Sequence, residues 1–250
     1  AQGEMACGHV GAGRMAEPEH ILQAAGACLT PQDLEGRKIL VTAGGTREGI
    51  DPVRFIANRS TGKMGFALAA EAAARGAEVT LVAGPTQFAE PWNVHMIRVG
   101  NAAEMGQAVD KNLPGKDALV MAAAVADFTP KETASVKLKK EAMGDTVTLE
   151  LVRTRDILAS LGERFRDDPA APLLVGFAAE TASEPAELAR LAEAKLKRKG
   201  CQILVANDVS ASDAGFAADT NRVVVFEPGE VALEVPLAKK RPVAGTILAR

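Results

Sequence analysis

From Arg37 onward the chain keeps one beat: a β-rich apolar run, a turn and an alanine-rich helical stretch, then the same again. Strands that read as near-continuous apolar runs and alternate with helical segments belong to a parallel sheet covered by helices on both faces. The first run, KILVTA, is expected as a strand over 38–43. A glycine turn and an irregular stretch over 47–61 follow, then a helix opening near Gly62 and closing at Gly76, where glycine suits a C-cap. A strand over 78–83 completes a right-handed β-α-β unit. The same beat predicts strands over 95–99, 118–124, 173–178 and 203–206, and helices over 102–112, 156–166 and 184–199.

Over 127–153 the beat breaks. A polar, lysine-bearing stretch precedes alternating Val147, Leu149 and Leu151, which reads as an inserted hairpin. An insertion after a strand's carboxyl end sits where open α/β sheets bind ligands. A second hairpin, 222–226 with 231–237, is expected before a short last helix. Residues 1–35 do not join the pattern: Gly8, Gly11, Gly13, Pro18 and Pro31 surround one helical stretch over 17–27, which reads as a tail or linker before a main domain at 36–250.

A chain of 250 residues with 47% hydrophobic content can bury a full core. Its longest apolar run, 118–126, has nine residues, against the roughly 18 needed to span a bilayer, so no transmembrane helix is expected. The first ten residues fit neither a signal peptide nor a natural start, which reads as a fragment of something longer. Cys7, Cys28 and Cys201 are odd in number and far apart, which fits a reducing cytoplasm better than a disulfide framework. His9, His20 and His95 lack metal-ligand spacing. A net charge of -3 gives no reason to expect nucleic acid. Positive charge is instead local, at Lys137, Lys139 and Lys140 and over 195–199, which suits a small anionic ligand.

Two formal motif matches fail on context. Gly11, Gly13 and Ala16 satisfy GxGxxA, but no strand precedes them. Gly62 and Lys63 resemble the end of a P-loop, yet Ala57 stands where that motif needs glycine and Met64 where it needs Ser or Thr. Other features carry two readings each. The turn Gly44, Gly45, Thr46 lets a ligand approach the backbone, and 58–65, NRSTGKMG, leads into a helix whose free N–H groups attract anions; equally, this is an ordinary helix start with Gly65 serving helix–sheet packing. Asn58 offers an amide that can donate to a developing oxyanion. Asp127, beyond the strand over 118–124, is a turn residue or a carboxylate for a ribose hydroxyl or Mg2+. Lys137 and Lys139 would share one face of a strand, suiting successive phosphates or forming a solvated charge run. Lys195 and Lys199 share a helix face, with Lys197 and Arg198 directed elsewhere; they suit a triphosphate or simply the dipole of a helix end. Phe177, in GFAAE, is core or a stacking surface for a base.

In chain order, VTAGGTREGIDPVRFIANRSTGKMG, AAAVADF, KLKK, RDIL, GFAAET and VANDV resemble the motifs of the phosphopantothenoylcysteine synthetase family, from about Lys38 to the C-terminus. The resemblance implies an α/β fold: a Rossmann-like, doubly wound, mostly parallel sheet with an inserted lysine-bearing hairpin and a C-terminal hairpin. It implies CTP-dependent ligation of 4'-phosphopantothenate to cysteine through an acyl-cytidylate, with Mg2+, in coenzyme A biosynthesis. It also implies a homodimer in which Arg54 reaches the partner's substrate site. By resemblance, Met121, Ala122, Ala123, Asp127, Lys137, Arg155, Asp156, Ile157, Leu158, Phe177, Lys195 and Lys199 form the nucleotide pocket. Gly45, Thr46, Arg54, Asn58, Ser60 and Gly62 meet the substrate, with Asn58 and Lys137 catalytic. The leading segment, from Ala6, Cys7 and Gly8 through Gly11, Gly13, Arg14 and Met15 to Pro18, resembles the closing flap of flavin-dependent phosphopantothenoylcysteine decarboxylases. In many bacteria that enzyme precedes the synthetase on one polypeptide; Cys7 then matches its proton donor, and FMN belongs to that upstream domain. An NAD(P)-dependent oxidoreductase is the competing enzymatic reading. Against it stand the missing GxGxxG after the first strand and the absence of any tyrosine. A non-catalytic nucleotide-binding module would keep the lysines without needing Asn58.

Overall fold

The computed structural model describes residues 2–4, 9–12, 15–139, 146–180, 185–208 and 218–250. Two short strands, β1 (Gln2–Glu4) and β2 (Val10–Ala12), pair antiparallel and precede helix α1 (Pro18–Cys28). The main body then runs β3 (Lys38–Ala43), β4 (Arg47–Gly49), β5 (Phe55–Ala57), α2 (Lys63–Ala74), β6 (Glu78–Ala83), β7 (Val94–Arg98), α3 (Ala102–Asn112) and β8 (Ala118–Met121). It continues with β9 (Phe128–Pro130), β10 (Leu151–Arg153), α4 (Ile157–Arg164), β11 (Leu173–Glu180), α5 (Pro185–Lys199), β12 (Ile203–Asp208), β13 (Thr220–Phe226), β14 (Leu233–Lys239) and α6 (Lys240–Ile247).

Eight of these strands form one sheet in the order β14-β13-β12-β11-β8-β3-β6-β7. The six from β12 to β7 are parallel, and the C-terminal hairpin adds two antiparallel strands at one edge. Alternation along each strand divides its side chains between two cores. Ile39, Val41 and Ala43 of β3 join the cluster that α2 and α6 cover, while Leu40 joins the one packed beneath α3, α4 and α5. This is the doubly wound, mostly parallel α/β fold that the beat of the sequence predicts.

Helix α2 lies unusually close to β3. A Cβ added at Gly65 would stand 2.5 Å from the Ala43 Cβ and 2.8 Å from the Thr42 carbonyl oxygen, so only glycine permits this approach. Gly62, which caps the helix, has φ 87°, the left-handed region that disfavours side chains.

Several expected boundaries move for identifiable reasons. The strand expected over 118–124 stops at Met121, because the Thr42 hydroxyl captures the Ala123 N–H at 3.1 Å and the chain turns toward Gly44. Strands β11 and β12 each run two residues further than expected, pairing Ala179 with Asn207 and Glu180 with Asp208. The stretch over 47–61, expected to be irregular, contains the antiparallel pair β4/β5, with the Arg47 guanidinium 4.6 Å from the centre of the Phe55 ring. The inserted hairpin is shorter than predicted. β9 pairs with β10, so of Val147, Leu149 and Leu151 only Leu151 lies in a strand. Lys137 and Lys139 lie in no strand either, and the shared-face argument for them fails; Lys140 lies outside the described residues.

The stretch ahead of β3 is fastened to the body. Gln32 Nε2 donates to the Ala74 carbonyl at 2.9 Å, the Arg75 guanidinium pairs with Asp33 at 2.5 Å, and the Trp92 N–H donates to Gln23 Oε1 at 2.8 Å. Among the described residues no helix is long and apolar enough to cross a membrane.

The contact at Gly65 yields a direct test. Gly65→Ala should cost about 1–3 kcal/mol in urea unfolding through overpacking. Gly26→Ala, within α1 and with nothing inside 4 Å of the new methyl, should be neutral or stabilising by up to about 1 kcal/mol. A wild-type midpoint for Gly65→Ala would mean that the helix has room to retreat from β3.

Candidate functional site

Parallel strands bring their carboxyl ends to one edge, and here that edge opens into a cleft with two adjoining cavities. Its wall is stitched from three loops. The Ala124 N–H donates to the Gly44 carbonyl at 2.8 Å, the Thr46 N–H to the Ala124 carbonyl at 3.4 Å, and the Ala126 N–H to the Thr46 hydroxyl at 2.9 Å. Asn58 Nδ2 adds bonds to the carbonyls of Ala124, at 3.2 Å, and Val125, at 3.3 Å.

The larger cavity, of about 590 Å3, brings together most residues of the expected nucleotide pocket: Met121, Ala123, Asp127, Arg155, Asp156, Ile157, Leu158, Phe177, Lys195 and Lys199, with Asn58 at its side. The smaller, of about 120 Å3, takes Ser60, Gly62 and Ala122. Ala123, Ala124, Phe177 and Ala179 line both cavities. Phe177 is half-buried: it lines both cavities and also packs on the core.

Two helix starts face the cleft. Helix α2 begins at the smaller cavity, with Gly62 as its cap. Helix α4 begins at the larger one, capped by Asp156, whose carboxylate accepts the Ala159 N–H at 3.1 Å. Exposed helix starts attract anions. Three of the cations nearby hold carboxylates. Lys199 pairs with Asp156, Arg155 forks onto Asp110, and Lys63 meets Asp219 at 2.6 Å. Burial by itself would raise the Asp156 pKa, but bonds from Lys199 and the Ala159 N–H, with the charges of Lys199 and Arg198, leave it below the ordinary value. Burial first, then the charge of Lys63, pushes Lys240 below the usual lysine range.

Several of the expected site residues have partners within the wall or the arm. Thr46 is fully buried with its hydroxyl bonded to the Ala126 N–H, so it braces the wall. Gly45 forms an isolated bridge to Ala124 and has the same bracing place. Both Nδ2 hydrogens of Asn58 go to the Ala124 and Val125 carbonyls, which leaves Oδ1, an acceptor, rather than a donor for an oxyanion. Arg198, expected to point away, lines the larger cavity beside Lys195 and Lys199. Arg54 and Lys137 line neither cavity. Both belong to the arm of β4/β5 and the loop over 131–139, where Arg54 pairs with Asp51. Cys7 lies outside the described residues.

Arg59, Asn207, Asn221 and Lys240 also line the cleft, without having been expected there. A polar Asn207 ending the apolar run ILVA was the available signal, since polar residues at the carboxyl ends of parallel strands face the ligand side. Lys240 gave none, because it reaches the cleft from the last helix only after the C-terminal hairpin has folded back. Among the described residues no group of three His, Cys, Asp or Glu could hold a metal.

Known proteins of similar sequence and shape place this geometry in context. A family model described as the DNA/pantothenate metabolism flavoprotein C-terminal domain matches residues 34–250. The chain is 45% identical over 252 residues to the coenzyme A biosynthesis bifunctional protein CoaBC of Bacillus subtilis (strain 168), covering 99% of this chain and 60% of that protein. The chain thus spans about three-fifths of that relative's length. A solved C-terminal domain of a CoaBC protein superposes with TM-score 0.70 at 39% identity, over 86% of this chain and 94% of that one. A Cab2 mutant solved in complex with phosphopantothenate-cysteine shares the fold, with TM-score 0.65 at 15% identity over 92% of this chain and 91% of its own.

The Asp156 cap separates two contributions. Asp156→Ala should lower stability in urea by about 0.5–2 kcal/mol. Asp156→Asn keeps the accepting oxygen and should lose much less, because an exposed ion pair contributes about 0–1 kcal/mol. The folded pKa is depressed, so the charge stabilises the fold above the ordinary carboxylate range, near about 3.9, and that gain is lost as pH falls through the lower folded value. The gap between wild type and Asp156→Asn should therefore close in acid; a gap that widened there would contradict the assigned pairing.

Proposed function

This chain belongs to the DNA/pantothenate metabolism flavoprotein C-terminal domain family, and from that premise we propose that it is the phosphopantothenate:cysteine ligase part of a longer bifunctional protein. The reaction proposed is CTP-dependent joining of 4'-phosphopantothenate to cysteine. The observation that carries this reading is the meeting of two helix starts with Lys195, Arg198 and Lys199 around a floor of small residues, a setting made for a polyanion.

A carboxylate does not acylate an amine at neutral pH, because oxide is too poor a leaving group. Attack of the pantothenate carboxylate on the α-phosphate of CTP would form an acyl-cytidylate and expel pyrophosphate. The cysteine amine would then displace CMP, losing a proton as the amide forms. In this reading Lys195 and Lys199 receive phosphates, and Lys137 offsets the charge that grows on them. The exposed Asp127 on the cavity rim meets a ribose hydroxyl or Mg2+. Mg2+ is commonly held by substrate phosphates and one or two carboxylates, so Asp127 suffices as the protein's share, and when bound the ion offsets phosphate charge. Asn58, with Oδ1 accepting, would orient the incoming amine.

The arm supports a homodimer. Val53, Phe55, Phe128, Leu149, Leu151 and Val152 are exposed there, on the hairpins that carry Arg54 and the Lys137 loop. A second copy covering this apolar face would bring Arg54 and Lys137 to a neighbouring cleft. The remaining length of the Bacillus relative accommodates an upstream decarboxylase with FMN, for which residues 1–35 would be the closing end, and we place the protein in the cytoplasm.

Pyrophosphate release from CTP, measured with and without phosphopantothenate and then cysteine, tests the reading. Lys137→Gln should suppress release by roughly 10² to 10³. Asn58→Asp should still release pyrophosphate but form little amide, since a carboxylate facing the carbonyls of Ala124 and Val125 must turn away from the wall. Release that ignores the acid points to an unrelated hydrolase, and no release at all to a nucleotide-binding module.

A further inference from the structure

The arm contains a buried carboxylate with no place in the mechanism above. Asp51 is 5% exposed and accepts five N–H bonds. Oδ1 takes the backbone N–H groups of Val53 and Arg54, both at 2.8 Å, which fixes the turn between β4 and β5. Oδ2 takes Arg54 Nε at 3.0 Å, Arg54 Nη2 at 2.6 Å and, from a distant part of the chain, the Leu138 N–H at 3.1 Å. Arg54 Nη2 then donates to the Leu138 carbonyl at 2.9 Å. The ion pair thus grips both polar groups of one peptide residue, as a neighbouring strand would.

Leu138 is the residue after Lys137. A second fastening lies upstream, where the Ala134 N–H donates to the Ile50 carbonyl and the Thr133 hydroxyl to the Gly49 carbonyl, each at 3.0 Å. Consecutive Cα atoms are about 3.8 Å apart, so holding Leu138 fixes the origin of the Lys137 side chain to within one peptide unit. We infer that Asp51, through its ion pair with Arg54, is the positioning residue that sets Lys137 for phosphate contact. This rests on the reading of Lys137 given above.

The geometry says why a carboxylate is needed. An asparagine could keep Oδ1 on the turn but would aim its NH2 group at the Arg54 guanidinium and the Leu138 N–H, where only acceptors fit. Asp51→Asn should therefore release the loop while sparing β4, β5 and the sheet. Asp51→Glu keeps the charge on a longer stem and should do so only in part. Both substitutions lie in the arm, outside the two apolar cores.

The test is a double-mutant cycle on the full chain, reading pyrophosphate release at saturating CTP and amide exchange at the Leu138 N–H. Asp51→Asn should lower the maximal rate at least tenfold, change the KM for CTP less, and speed exchange at Leu138; Asp51→Glu should recover part of each. In a Lys137→Gln background, Asp51→Asn should add almost nothing, because the group it positions is gone. Effects that multiply in the double variant, or a wild-type rate for Asp51→Asn beside an impaired Lys137→Gln, would overturn the inference and leave the ligase reading standing. A wild-type rate for Lys137→Gln itself would remove the role of Lys137 and with it this assignment. Should Asp51→Asn lower the unfolding midpoint of the whole chain, the same cycle run with Asp51→Glu decides between these outcomes.

Discussion

The backbone stitch between the ends of β3 and β8 holds the rest of the site in place. Gly44, Thr46, Ala124 and Ala126 exchange hydrogen bonds across the two loops, and Asn58 closes the seam with both of its amide hydrogens. An unpaired peptide group in such a wall would cost on the order of 1–3 kcal/mol, so the seam persists only if each loop keeps its register. The parallel pairing of β3 with β8 sets that register, and Gly65 sets the depth of α2 beside it. The cleft is thus a by-product of sheet order, lined by whatever residues follow the strands.

Most of the sheet was legible because its signal is hydrophobic and local. Runs such as KILVTA are costly to leave in water, and the alanine-rich stretches between them favour helix over strand. The helix over 102–112 coincides with α3, helped by Asn101, whose side chain accepts the Glu104 N–H. The arm was not legible, because what shapes it is polar and non-local. The bond from Leu138 to Asp51 spans 87 positions, and nothing in VKLKK announces a partner that far upstream. Lys137 and Lys139 were consequently assigned a strand's alternation when they sit in an irregular loop. Within the cleft, the short motifs at strand ends lie along the wall, while Asn221 arrives from the C-terminal hairpin and Lys240 from the last helix, and both were invisible for the same reason.

The electrostatics of the cleft differ from a row of waiting cations. Lys199, Arg155 and Lys63 each hold a carboxylate before any anion enters. These pairs are partly exposed, and exchanging one oxygen partner for another costs little where water can follow. Asp51 is different: its side chain has no exposure, and Arg54 holds its carboxyl well below the usual carboxylate range. That group stays ionised throughout the neutral region. The fold therefore pairs its ions in two ways, yielding at the cleft and fixed in the arm.

At Gly162, α4 meets the end of α5 with no side chain between them. A Cβ added at Gly162 would lie 2.0 Å from the Lys199 carbonyl oxygen, and Lys199 in turn grips Asp156 at the start of α4. The two helices are joined at both ends of α4, one end by backbone contact and the other by charge. The backbone contact stays when Lys199 leaves Asp156 for another oxygen, so the two joints are not equivalent. A phosphate that draws Lys199 away from Asp156 would therefore free the start of α4 while the contact at Gly162 still holds the two helices together.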